Sequence, residues 1–402
     1  PELIEKRMKY NYQNHLAHIY VYAYDNQPNV VAKAYRSEAA LFHFGKGVAL
    51  AKKIGNTQLV YDAYQKNIML ASTNGMNEIA LLYSVRTYEF MKNEESFYEG
   101  RMFAGIGYNL SAMGKNALAE QYYDHAIQGF YELGRSEDIA EVYYNRALNH
   151  VMLELFKEAE HDLLLVMKVI EKLHLNSLRV CNLSKLYALL ALTGIMQKDR
   201  FTCERYLLSC RQFLNYIIEK EKNNQNEEII HDYAKCDDDM FLYMFAQAML
   251  KMMDGELEAA YNYFADAEKF LARAEGNEFF SYRIFRQARM ELFRQMGRTE
   301  LCEREKELLE QHEVLCAETA ASVPMELLKE ITPDIERVGK RASEADIEAL
   351  VKQEGLMRDY QTNKRQMDFM VSWQKMIDIT DQKIPVMVQN AISSFINYFN
   401  LD

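Results

Sequence analysis

Proline occupies positions 1, 28, 324, 333 and 385, so residues 29 to 323 contain none. Few features constrain a fold more tightly. Chain reversals in turn-rich folds draw on proline and glycine, and proline is the residue a helix interior excludes. Glycine is scarce as well: the two together number 21 in 402 residues, under half of the ordinary usage of about 12%. The sequence therefore predicts an all-α chain. A β-sandwich and a phosphate-gripping α/β enzyme both fit poorly.

Charge narrows the partners. With 47 basic side chains against 59 acidic, the formal charge is -12, which disfavours a polyanion whose binding depends on neutralised phosphates. Nucleic acid is not an expected partner. No apolar run reaches the ~20 residues that span a bilayer, and no basic-then-apolar leader opens the chain, so neither is a membrane. Pro1 stands where Met would begin a complete chain, and a missing N-terminal piece is expected. Cys181, Cys203, Cys210, Cys236, Cys302 and Cys316 are scattered without a CxxC pair. Such thiols read as reduced and mostly buried, in a cytoplasmic protein.

Weak breaks recur in register. Ile54-Gly55-Asn56-Thr57, Lys92-Asn93, Leu133-Gly134-Arg135-Ser136 and Leu173-His174-Leu175-Asn176-Ser177 lie 39, 40 and 40 residues apart. Each interval holds two amphipathic segments of about 17 residues, divided near Gly75, Gly114 and Glu154. Ser, Thr or Asn beside the breaks offers side-chain acceptors for the free N–H groups of a helix start. The pattern predicts helix-turn-helix repeats with a period near 40. Its aromatic and Met stripes, including Tyr122-Tyr123 and Tyr143-Tyr144, read first as core between stacked helices.

The clearest unit runs Phe103, Ile106, Gly107, Met113, Gly114, Ala119, Tyr123, Ala126. It resembles the tetratricopeptide repeat, in which small residues let paired helices approach and aromatics fill the gap. Tyr143, Ala147, Leu153, Phe156 and Ala159 form a second copy, and Ala248, Gly255, Leu257, Ala260, Phe264 and Ala267 a third. A weaker copy contains Gly75 and Ala80, and degenerate ones centre on Phe201 and Gly297. The resemblance covers residues 30 to 315 and implies a right-handed α-solenoid of antiparallel helix pairs with a concave, ligand-binding groove.

The expected organisation is a helix pair over 1–53, repeats over 54–318, a linker or coiled-coil helix over 324–379, and a short helical hairpin from 380 to 402. The polar window 219–239 breaks the register and reads as a lengthened helix plus an insertion of roughly 20 residues. His231-Asp232 and Asp237-Asp238-Asp239 within it read as a solvated acidic helix start rather than a metal site. In the linker, Ile347, Leu350, Met357, Tyr360, Met367 and Val371 are spaced as one long helix, docked on the array or paired as a coiled coil, with Gln353 and Lys364 interrupting the seam. Residues 367–402, with Phe369, Trp373, Met376 and Ile377 followed by Asp381, Ile384, Val388, Ile392, Phe395, Phe399 and a terminal Asn-Leu-Asp, resemble the opening of a GAF sensor domain. That resemblance implies a piece of a longer signalling protein. The apolar face around Trp373 is expected to be buried in a homodimer through residues 340–399, or back on the array.

No catalytic constellation emerges. There is no GxGxxG, no GxxxxGK[ST] and no GxSxG. His15 and His18, three apart, read as ordinary surface or core residues. No cofactor or metal is expected. Along the inner helices the candidate groove residues are Gln65, Met69, Arg101, Tyr108, Tyr144 and Asn145. They lack the recurrent Lys and Asn of carboxylate-gripping tetratricopeptide modules, so an amphipathic helix or apolar peptide is the expected ligand. The sequence thus reads as a non-catalytic protein- or peptide-binding region of a cytoplasmic bacterial signalling protein, with a diguanylate cyclase, histidine kinase or other output downstream. The alternative is a free-standing receptor for a peptide pheromone.

Overall fold

The computed structural model describes residues 42–43, 45–73, 77–92, 96–175, 178, 181, 183–223, 236–271, 279–323, 325–328 and 342–379. Among them every regular element is a helix. After a helical segment over 45–54 come α1 (Thr57–Thr73), α2 (Asn77–Met91), α3 (Ser96–Ala112), α4 (Asn116–Glu132), α5 (Ser136–Met152) and α6 (Phe156–Lys172). The series continues with α7 (Leu183–Met196), α8 (Arg200–Asn223), α9 (Cys236–Met253), α10 (Leu257–Leu271), α11 (Phe279–Gln295) and α12 (Thr299–Ser322). A one-turn α13 (Met325–Leu328) and a long α14 (Glu344–Ile379) follow. The chain divides into two units, Pro1–Ile347 and Glu348–Asp402. Residues 1–41 of the early helix pair, the Trp373 side chain and the GAF-like hairpin lie outside the described residues, as do His15, His18, His231 and Asp232.

The first unit is a helical-repeat solenoid. Each odd-numbered helix from α1 to α11 packs most heavily on the even-numbered helix after it, and α2–α3, α4–α5 and α6–α7 join one pair to the next. Left-handed residues close four successive turns, at Gly114, Gly134, Glu154 and His174 in strict steps of 20, and Gly55, Lys198, Gly255 and Gly297 close others. The hydrogen bonding is the same each time. Gly114 N–H donates to Ser111 C=O and Lys115 N–H to Leu110 C=O; Glu154 and Leu155 donate likewise to Val151 and His150. This double bond satisfies carbonyls that a helix end leaves free. Glu154, φ 58°, adopts without glycine a conformation that costs a side-chain-bearing residue about 1–2 kcal/mol.

Capping departs from expectation. Asn56 accepts from Leu59 N–H at 2.9 Å and Asp199 from Thr202 N–H at 3.1 Å. Lys115, Arg135, Leu155 and Arg298 hold the cap positions of α4, α5, α6 and α12, and none caps its helix with a side-chain hydrogen bond. The turns are so short that Asn116 and Ser136 already sit in the first helical turn, one place too late to cap.

Helix approach explains the small residues. A Cβ built on Gly107 would lie 2.9 Å from the Tyr123 ring and 3.3 Å from the Ala119 carbonyl, so α3 and α4 meet where no side chain fits. Phe103, Ile106, Tyr122 and Tyr123 are buried around that contact. In the third copy the rings of Phe241, Phe245, Phe264 and Phe285 cluster with centroids 5.3–6.0 Å apart. Part of the register break is taken up by α8, 24 residues against 17 in α6. Helix α9 begins at Cys236, inside the expected insertion. Asp239 is buried and accepts a 2.6 Å hydrogen bond from Ser184, which corrects the solvated reading of the acidic run.

Candidate functional site

Successive odd-numbered helices are tied by a ladder of polar contacts. From α1 to α3, Gln65 Nε2 lies 3.8 Å from Met102 Sδ, and Ser72 Oγ donates to Asn109 Oδ1 at 3.1 Å. From α3 to α5, Arg101 reaches Asp138 at 3.2 Å and Ser111 Oγ donates to Asn149 Oδ1 at 2.8 Å. Asn109 and Asn149 hold equivalent positions in adjacent repeats, 40 residues apart. Asn149 also donates to Glu120 at 2.8 Å. Each rung fixes the spacing of one repeat against the next.

The six candidate residues separate on this frame. Gln65, Arg101, Tyr108 and Asn145 are half-buried, and Met69 is 63% exposed. Tyr144 is 2% exposed, a core side chain. Further along, α11 packs on α5 and Arg283 pairs with Glu154 at 3.3 Å, so later helices of the chain cover that end of the inner surface. Gly114 lies against Ala320 of α12. Gln65, Met69, Arg101 and Tyr108 form the part of the row on α1 and α3, half-buried except at Met69.

Sequence reasoning missed the strongest electrostatic feature. Arg146 of α5 donates Nε and a terminal nitrogen to Asp162 of α6 at 2.9 and 2.7 Å, and its other terminal nitrogen to Asp124 of α4 at 2.9 Å. One turn on, His150 sits 3.2 Å from Asp162 and 3.1 Å from Glu120. Burial lowers the imidazole pKa, but these two carboxylates outweigh it and push it up to about 9. Burial raises Asp162, and Arg146 and His150 reverse that, holding its carboxyl below the ordinary range. The i,i+4 spacing of Arg146 and His150 is visible in the sequence; their partners, on the helix before and the helix after, are not.

A second buried node pairs Arg286 with Glu268 and Glu305 at 2.7 and 2.9 Å, and Arg289 with the same two carboxylates. In both nodes each cation is met by acid, an arrangement that locks helices together. Burial pushes the Cys181 and Cys203 thiols up to about 12, which keeps them protonated at neutral pH. Among the described residues no group of three or more His, Cys, Asp or Glu is arranged to hold a metal ion. No described helix is long and apolar enough to cross a membrane.

No protein-family model and no curated protein matches the chain. Among solved structures, the crystal structure of BtubC (BKLC) from P. vanneervenii is similar over 67% of this chain and 92% of that one, at 13% identity and a TM-score of 0.36. A likeness that distant assigns neither fold nor function.

Proposed function

We propose that the chain is a non-catalytic, protein- or peptide-binding sensory region of a larger cytoplasmic bacterial signal-transduction protein. Its repeats are of the tetratricopeptide type with a long period, and its last helices lead into a GAF-like unit. The observation that carries the reading is the row on α1 and α3. Met69 supplies exposed apolar surface there and Tyr108 a half-buried ring, while the polar ladder holds Gln65 and Arg101 beside them. A preorganised row of this composition suits one face of an amphipathic helix carrying an acidic residue. Binding there would bias the stacking of α1 on α3, which requires a ligand with different affinity for two arrangements of the array.

The test titrates amphipathic helical peptides onto the chain, read by fluorescence anisotropy and small-angle scattering. Met69→Glu and Tyr108→Ala are expected to weaken binding at least ~tenfold while the thermal midpoint stays unchanged. Identical scattering curves and no binding by any peptide would sink the proposal.

A further inference from the structure

Helix α14 runs 36 residues without a break, about 54 Å at the helical rise. Ser343 and Asp346 start it with a reciprocal cap: Ser343 N–H donates to Asp346 at 2.8 Å and Asp346 N–H donates back to Ser343 Oγ at 3.2 Å. Ile347, Val351 and Gly355 are buried, yet every residue from Asp359 to Val371 is exposed. That exposed length carries Tyr360 at 63% and Met367 at 66%, with Phe369, Met370 and Val371 also exposed, and Leu356 and Met357 are exposed just before it. Helices in proteins draw most of their stability from a packed apolar face, and scattered single residues do not account for a row this regular.

The row has a register. Gln353, Met357, Tyr360, Lys364, Met367 and Val371 follow spacings of four, three, four, three and four, the alternation of a coiled-coil seam. The order is the same read from either end, and the chemistry decides between the two ways of pairing it. A parallel pair sets Lys364 against Lys364 of the second copy, two like charges in one desolvated layer. An antiparallel pair sets Met357 against Met367 and Lys364 against Tyr360, an ammonium over a ring face. By two-fold symmetry that favourable layer occurs twice. Leu356 and Met370 flank the same seam and meet across it.

We infer that this face of α14 is an antiparallel homodimer interface, with Tyr360 and Lys364 as its central layers. The inference is independent of peptide binding on α1 and α3. Two charge substitutions read the orientation in sedimentation velocity over a concentration series, with circular dichroism confirming an intact fold. The wild-type chain is expected to dimerise. Met357→Lys and Met367→Glu, each alone, should weaken the dimer at least ~tenfold, because each puts an unpaired charge against an apolar partner. Combined in one chain they should restore it. Tyr360→Glu should leave the dimer intact, since antiparallel pairing puts the new carboxylate opposite Lys364. A wild-type chain that stays monomeric overturns the interface. A Tyr360→Glu chain that dissociates, or a double variant that stays monomeric, overturns the orientation.

Discussion

Arg146 and Asp162 face each other across the α5–α6 contact and exchange two parallel hydrogen bonds of 2.9 and 2.7 Å. The carboxylate is almost wholly buried, and its oxygens also face His150. One acid thus serves two cations from a single helix, and without it each keeps one partner, Asp124 for Arg146 and Glu120 for His150. Asp162→Ala is expected to cost about 1–3 kcal/mol, the usual loss of a buried hydrogen-bond acceptor. Arg146→Met in that background should recover part of the loss. Urea unfolding of the wild type and the two variants measures both effects.

His150 gives stability a pH dependence of known sign. Its folded value of about 9 lies above the ordinary 6.5, so its contribution is complete below 6.5 and declines as pH rises through about 9. Asp162 and Glu120 are held low, so theirs is present above the ordinary carboxylate range and declines as pH falls. Thermal midpoints should peak between these limbs. His150→Gln should flatten the alkaline limb and make the acid limb shallower, because His150 helps to hold Glu120 and Asp162 low while Arg146 keeps part of that effect.

Two glycines of α3 separate packing from propensity. Gly107 has no room for a methyl group, whereas a Cβ on Gly105 would meet only Ser84 Oγ, at 3.9 Å. Gly105→Ala should stabilise by about 0.5–1 kcal/mol through helix propensity. Gly107→Ala should destabilise by about 1–2 kcal/mol, as overpacking against Tyr123 exceeds that gain. Opposite shifts in denaturation midpoint test the pair.

The turns make a complementary case. Lys198 holds φ 62° and Gly114 holds φ 75°. Lys198→Gly is expected to stabilise by about 0.5–1 kcal/mol, by relieving the left-handed strain at some cost in chain entropy. Gly114→Ala is expected to cost about 1–2 kcal/mol. Calorimetry of the two variants should give midpoints on opposite sides of the wild type.

The sequence alone determined what depends on near neighbours. Helix starts and stops follow from a few consecutive residues, so Gly114, Gly134, Glu154 and His174 marked their turns in advance, and the unbroken spacing of Ile347 to Val371 marked α14. Gly107 and Ala119 revealed that α3 and α4 approach closely, because small residues at matched positions have few other uses. Only the tertiary structure decided which polar side chains would be buried and which part of the inner surface would be covered. Asp239 lies in an acidic run that looks solvated, yet it is enclosed and bonded to Ser184, 55 residues away. Tyr144 falls in a groove register and ends in the core. Arg146 is one of 47 basic residues, and nothing local distinguishes it until α4 and α6 bring Asp124 and Asp162 to its guanidinium. The packing of α11 on α5 joins helices separated by five others, a contact no repeat period encodes, and it covers the α5 end of the inner surface.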